Sequence, residues 1–117
     1  MLLALALDLI ASDRRHAHPR FQEGNFEKNL ALLGPLKAAA EKRGATMAQV
    51  ALAWVLARGP NIVPIPGTKR RSYLEQNAGA VDITLSGAEI KSLEQAFPPQ
   101  AASGLRYPEF QLKMMGI

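Results

Sequence analysis

A β-strand cannot stand alone, because its backbone donors and acceptors must be met by neighbouring strands. In this 117-residue chain one stretch, Ile62-Val63-Pro64-Ile65, reads as a strand, and it lies among segments with helical spacing. The run follows the turn residues Gly59-Pro60-Asn61 and suits a short strand buried on both faces, as in a parallel sheet. Pro64 and Pro66 delete ladder donors, so pairing is expected over about four residues, with the prolines near its end. The order helix, helix, strand, helix, helix leaves that strand without partners. The chain is therefore expected to be helix-rich, the end of a larger α/β structure and incomplete in isolation.

The flanking segments carry the helix signals. From Asn25 to Gly44 the apolar residues Phe26, Leu30, Leu33, Leu36 and Ala40 keep near-helical spacing, with Asn25 as N-cap and Gly44 as the stop. Gly34-Pro35 falls inside this run, and an interior proline costs about 3 kcal/mol, so one kinked helix and two short ones both fit. Thr46 and Gln49 have capping-box spacing ahead of the apolar stripe Met47, Val50, Ala51, Trp54 and Val55. Leu52 and Leu56 widen that stripe, which predicts a helix buried around most of its circumference with Trp54 in the core. Leu74, Ala78 and Val81 are expected to line one face of a third helix that starts near Arg70, capped by Thr68. Ser86 and Glu89 form a second capping box, Leu85 and Ile90 occupy the staple positions, and Ile90, Leu93 and Phe97 face one way until Pro98-Pro99 ends the helix. An irregular tail is expected after Pro98.

Composition removes several kinds of chemistry. With no cysteine there is no disulfide, thiolate metal site or cysteine nucleophile, and a cytoplasmic location is the expectation. The opening MLLALALDLI is apolar but interrupted by Asp8, with neither basic residues ahead of it nor a small-residue cleavage site, so it is read as neither signal peptide nor membrane span. His16 and His18 lie two apart behind Arg14-Arg15; without a third ligand they read as an exposed basic linker rather than a metal site. The net charge of +4 fits an anionic partner or a solvated surface equally well until a local cluster is explained.

Such a cluster follows the strand candidate. In IVPIPGTKRRSYLEQN, residues 62–77, a strand end passes through Gly67 into Lys69, Arg70 and Arg71 at a helix start. Free N–H groups and the positive end of a helix dipole meet there, which attracts phosphate. Gly67 removes a Cβ, Thr68 offers a hydroxyl, and Lys69 and Arg70 add formal charge. The other reading is a solvated basic turn, in which cations sit unfavourably against the dipole.

Three segments in this order and spacing, ALAWVLARG at 51–59, IVPIPGTKR at 62–70 and YLEQNAGAV at 73–81, resemble the aldo-keto reductases. The similar part runs from about Pro19 to Pro108, leaving residues 1–18 as a divergent segment and 109–117 as a tail. The resemblance implies the last two βα units of a (β/α)8 TIM barrel that reduces aldehydes and ketones with NADPH. It also implies that the loop after the last strand and the helix behind it hold the adenosine 2′-phosphate and adenine. Residue by residue, that assigns cofactor binding to Gly67, Thr68, Lys69, Arg70, Tyr73, Gln76 and Asn77. Many members of the family have lysine where Gly67 stands and arginine where Tyr73 stands, and the cations at 69 and 70 take over that charge.

The family's catalytic tyrosine, lysine, aspartate and histidine belong to earlier parts of the barrel and map onto no residue of this chain. A typical barrel takes about 250 residues. The expected role is therefore the C-terminal part of an NADPH-dependent reductase, with dinucleotide and small carbonyl substrate as partners only in the complete barrel. Two alternatives are a non-catalytic remnant that associates through its open strand edge, including with itself, and a basic helical nucleic-acid module. The second is disfavoured, since a recognition helix needs polar side chains and Met47 to Leu56 offers only Gln49.

Overall fold

The computed structural model describes residues 12–117, so the opening apolar run, with its reading as neither leader nor span, lies outside the described residues. The chain divides into two compact units, one of residues up to Leu33 together with Phe97–Ile117, the other Gly34–Ala96. Among the described residues every regular element is helical: α1 Asn25–Ala31, α2 Gly34–Arg43, α3 Met47–Leu56, α4 Arg71–Ala78, α5 Gly87–Ala96 and α6 Glu109–Met114, with short 3-10 turns. No described helix is long and apolar enough to cross a membrane.

In the first unit, chain ends distant in sequence are joined by polar side chains acting as backbone substitutes. The Asn29 amide donates to the carbonyls of Arg20, at 3.1 Å, and Ser103, at 3.0 Å, and accepts the Ser103 N–H at 2.7 Å. Beside it, Arg20 donates to the Gly104 carbonyl and Asn25 to the Pro19 carbonyl. Gly104 has φ +87°, and a Cβ there would come within 2.8 Å of the Pro19 backbone, so only glycine permits this approach. Asn25 is thus not the N-cap of α1. Gly24 takes that position, and its N–H is accepted by the Glu27 carboxylate at 2.7 Å. The tail is also more ordered than expected, because Pro108 starts α6, where its missing N–H is no loss.

Gly34-Pro35 separates two short helices rather than kinking one. Pro35 falls in the first turn of α2, where helix geometry leaves its N–H without an acceptor in any case. α2 ends at Gly44, φ +60°, where the Gly44 N–H donates to Glu41 O and the Ala45 N–H to Ala40 O, a Schellman closure. Both capping boxes form as their spacing predicts. Thr46 Oγ1 accepts the Gln49 N–H at 3.2 Å while Gln49 Oε1 accepts the Thr46 N–H at 3.0 Å. Ser86 Oγ accepts the Glu89 N–H at 3.3 Å while the Glu89 carboxylate accepts the Ser86 N–H at 2.8 Å.

The apolar centre of this unit is Ala40, Val50, Ala53, Ala80, Leu85 and Leu93, with Val50 wholly enclosed. α3 is less buried than its composition predicts: Val50 and Ala53 are buried, while Trp54 and the rest of the stripe are half-buried. Two ion pairs tie α5 to other parts of the unit. Arg43 of α2 meets Glu89 of α5 through Nε at 2.9 Å and Nη2 at 2.5 Å, and Arg58 meets Glu94 while its guanidinium lies 5.2 Å from the Trp54 ring centroid.

The strand expected at 62–65 does not form among the described residues. Val63 and Ile65, which a two-sided sheet would bury, are 79% and 93% exposed. A strand needs a neighbour to satisfy its backbone, and the described residues supply none. The helix at 71–78 forms, but its faces are exchanged relative to expectation. Leu74, Ala78 and Val81 are exposed, whereas Tyr73, Gln76 and Asn77 are half-buried.

Two expectations follow. Val50→Ala removes a fully enclosed side chain and should cost about 2 kcal/mol, read as a lowered urea midpoint by the fluorescence of Trp54, the sole tryptophan. Glu89 is held well below the usual carboxylate range, first by its hydrogen bonds from Arg43 and then by those from Ser86. A depressed acid stabilises the fold above its unfolded value, about 4.3, and the contribution drains away as pH falls from there. Glu89→Gln should therefore lower the urea midpoint at neutral pH, with the difference from wild type closing as pH drops below about 4.

Candidate functional site

The site begins where the extended segment gives way to α4. Prolines 64 and 66 fix their own φ near −65° and bias the residues before them to extended backbone, so the chain arrives straight at Gly67. The Thr68 hydroxyl accepts the Arg70 N–H at 3.3 Å and lies 3.2 Å from the Arg70 carbonyl oxygen, which folds 68–70 into a local turn. Thr68 thus shapes the approach but is not the cap. The N-cap is Arg70, in extended conformation at φ −117°, ψ 137°, and no side chain caps the helix.

The open end of α4 therefore keeps part of its donor capacity. The N–H groups of Tyr73 and Leu74 both reach the Arg70 carbonyl at 3.1 Å, and helix geometry leaves those of Arg71 and Ser72 without an intrahelical acceptor. Gly67, Thr68, Lys69, Arg70 and Arg71 are all exposed, and a Cβ added at Gly67 would meet nothing within 4 Å. Backbone donors and a dipole end thus lie at an exposed helix start beside three consecutive cationic residues, a combination compatible with an anion. Arg71 occupies the first helical position, directly behind Lys69 and Arg70.

The assigned residues do not form a uniform set. Arg70 lies with its guanidinium carbon 5.5 Å from the Tyr73 ring centroid, so its charge faces an aromatic ring while Lys69 extends into solvent. Gln76 and Asn77 follow Tyr73 by three and four residues, which places all three on one helical face, the half-buried one. The structure thus brings Tyr73, Gln76 and Asn77 together on α4 and sets Gly67 to Arg70 at its mouth. His18, in the other unit, has its ring 5.9 Å from that of Tyr107, and among the described residues no group of three metal-ligating side chains assembles.

An uncapped helix start behind an extended segment, with exposed cations beside it, is compatible with an anion. The sequence model of the aldo/keto reductase family matches residues 7–97. The chain belongs to the aldo/keto reductase family. It is similar, at 44% identity over 86% of its length, to yakc, an aldo-keto reductase of Schizosaccharomyces pombe whose name carries NADP(+). It is 44% identical over 78% of its length to a probable aldo-keto reductase 1 of Glycine max, and 43% identical over 75% to the aldo-keto reductase str7 of Strobilurus tenacellus. These matches cover 30%, 26% and 26% of the relatives, so the chain spans less than a third of their length. The family implies a TIM barrel, whose strands the described residues do not contain.

The turn ahead of α4 is open to a direct check. Thr68→Ala removes the hydroxyl that holds the Arg70 amide and, at an exposed position, should cost about 0.5 kcal/mol or less. Amide exchange at Arg70 should speed up while exchange within α3 and α5 stays unchanged.

Proposed function

We propose that this chain is the C-terminal part of an NADPH-dependent aldo-keto reductase, and that its task in the barrel is to hold the adenosine end of the cofactor. The observation that carries this reading is the exposed, uncapped start of α4 with Lys69, Arg70 and Arg71 grouped at it. Carboxylates are the favoured side chains at a helix N-terminus, so three cations there imply an anion between them and the dipole. A 2′-phosphate meets that requirement, and a name carrying NADP(+) in a relative with 44% identity supports the choice.

The residues divide the work. Backbone N–H groups of Arg71 and Ser72 face the phosphate, with Thr68 holding the turn ahead of them, Lys69 and Arg71 neutralise it, and Arg70 lies on Tyr73 beside the base. Gln76 and Asn77, on the same face of α4, supply directional hydrogen bonds to the adenosine. The bound cofactor supplies the hydride. Carbonyl reduction takes place in the complete barrel, whose proton donor maps onto no residue of this chain. The cysteine-free composition fits a cytoplasmic setting.

Nucleic acid is the weaker reading. Gln49, the one polar side chain that α3 offers in its first turns, is committed to capping Thr46. A chain completed with the upstream barrel of the fission-yeast relative should bind NADPH in preference to NADH, followed by cofactor fluorescence. Changing both Lys69 and Arg71 to alanine should weaken NADPH by about tenfold or more, at 1.4 kcal/mol per factor of ten, and leave NADH nearly unchanged. Equal NADPH affinity in that variant would remove the grip from these residues.

A further inference from the structure

The face of α4 that carries Tyr73, Gln76 and Asn77 ends on a glycine. Gly79 follows Gln76 by three residues, as Gln76 follows Tyr73, so these three share one half-buried row. Backbone conformation does not call for glycine there. Its φ of −62° and ψ of −10° are open to any residue, and alanine in such a conformation stabilises by narrowing the unfolded ensemble. Space does call for it: a Cβ on Gly79 would lie 3.1 Å from Gln49 Nε2, inside ordinary van der Waals contact.

Gln49 is held in place from its other end. Its Oε1 accepts the Thr46 N–H at 3.0 Å and lies 3.3 Å from Thr46 Oγ1, which itself accepts the Gln49 N–H. With the amide oxygen engaged on Thr46, the amide nitrogen is turned toward Gly79. The residues that follow on each side, Val50 and Ala80, are both fully enclosed. The capping box that starts α3 is thus also the seat on which the C-terminal end of α4 rests. Every group in this contact lies between Thr46 and Ala80, within one unit.

We propose that Gly79 is a positioning residue for the adenosine site: by lacking a Cβ it lets the Gln49 amide set the height of α4, and with it the place of Gln76 and Asn77. This role rests on the reading of α4 as the helix that meets the cofactor's adenosine. A short helix moves as a rod, so a group inserted at 79 displaces residues 76 and 77, which lie within one turn of it. The 68–70 turn ahead of α4 is held by its own Thr68 contacts. The defect therefore falls on contacts that NADPH and NADH share, and not on the choice between them.

The test uses the chain completed with the upstream barrel, with both cofactors titrated by fluorescence. Gly79→Ala should weaken NADPH and NADH by the same factor, about threefold, as expected for coupled neighbours. Its urea midpoint should hold, because the backbone gain from alanine offsets the strained contact. Affinity lost without stability lost separates positioning from a merely structural role. Gln49→Ala removes the opposing amide, so adding Gly79→Ala to that variant should cost no further affinity. Unchanged affinity for both cofactors in Gly79→Ala, or the same loss with Gln49→Ala as without it, would overturn the proposal. If the Lys69 and Arg71 double alanine variant keeps its NADPH affinity while Gly79→Ala weakens both cofactors, the phosphate grip falls and the positioning role stands.

Discussion

The carboxylate of Glu89 is the interaction on which most of the Gly34–Ala96 unit converges. It closes the N-terminal turn of α5 by accepting from Ser86, and it receives the Arg43 guanidinium from the last turn of α2. One group thereby starts a helix and fixes the place of another. Exposed ion pairs contribute little when their side chains must be ordered for the purpose. Here the Glu89 side chain is 15% exposed and already held by its capping role, which reduces the entropy that pairing would otherwise cost. The enclosed apolar residues are few and half of them are alanines, so polar closures carry an unusual share of the organisation.

The same economy explains what the unit leaves open. With a small centre occupied by Val50, Leu85, Leu93 and three alanines, α4 turns its polar residues Gln76 and Asn77 inward beside Tyr73 and presents Leu74 and Val81 to solvent. Such an arrangement leaves Leu74 and Val81 without apolar cover among the described residues, as Val63 and Ile65 are.

The local elements were legible because their signals act over three or four residues. Thr46 with Gln49 and Ser86 with Glu89 named the starts of α3 and α5, Gly44 named the end of α2, and Gly34-Pro35 marked a break. The misread features share one cause. Asn25 reads as an N-cap, yet its amide is taken by the Pro19 carbonyl, and the residues after Pro98 read as irregular until α6 forms behind Pro108. For the candidate site, the cation run and the glycine were visible in order. The placement of Arg70 over Tyr73 depends on rotamers and a helix phase that spacing leaves undetermined.

The sequence by itself determined the starts of α3 and α5, the end of α2, the family to which the chain belongs, and the ladder donors that Pro64 and Pro66 withhold from the extended segment. These follow from backbone chemistry within a few residues. Only the tertiary structure decided which face of α4 is covered, that Val63 and Ile65 stand in solvent, and that Asn29 binds Ser103 across more than seventy residues. Burial and long-range pairing depend on what else is present to pack against, and an apolar pattern records the partner a segment requires without recording whether the chain provides it.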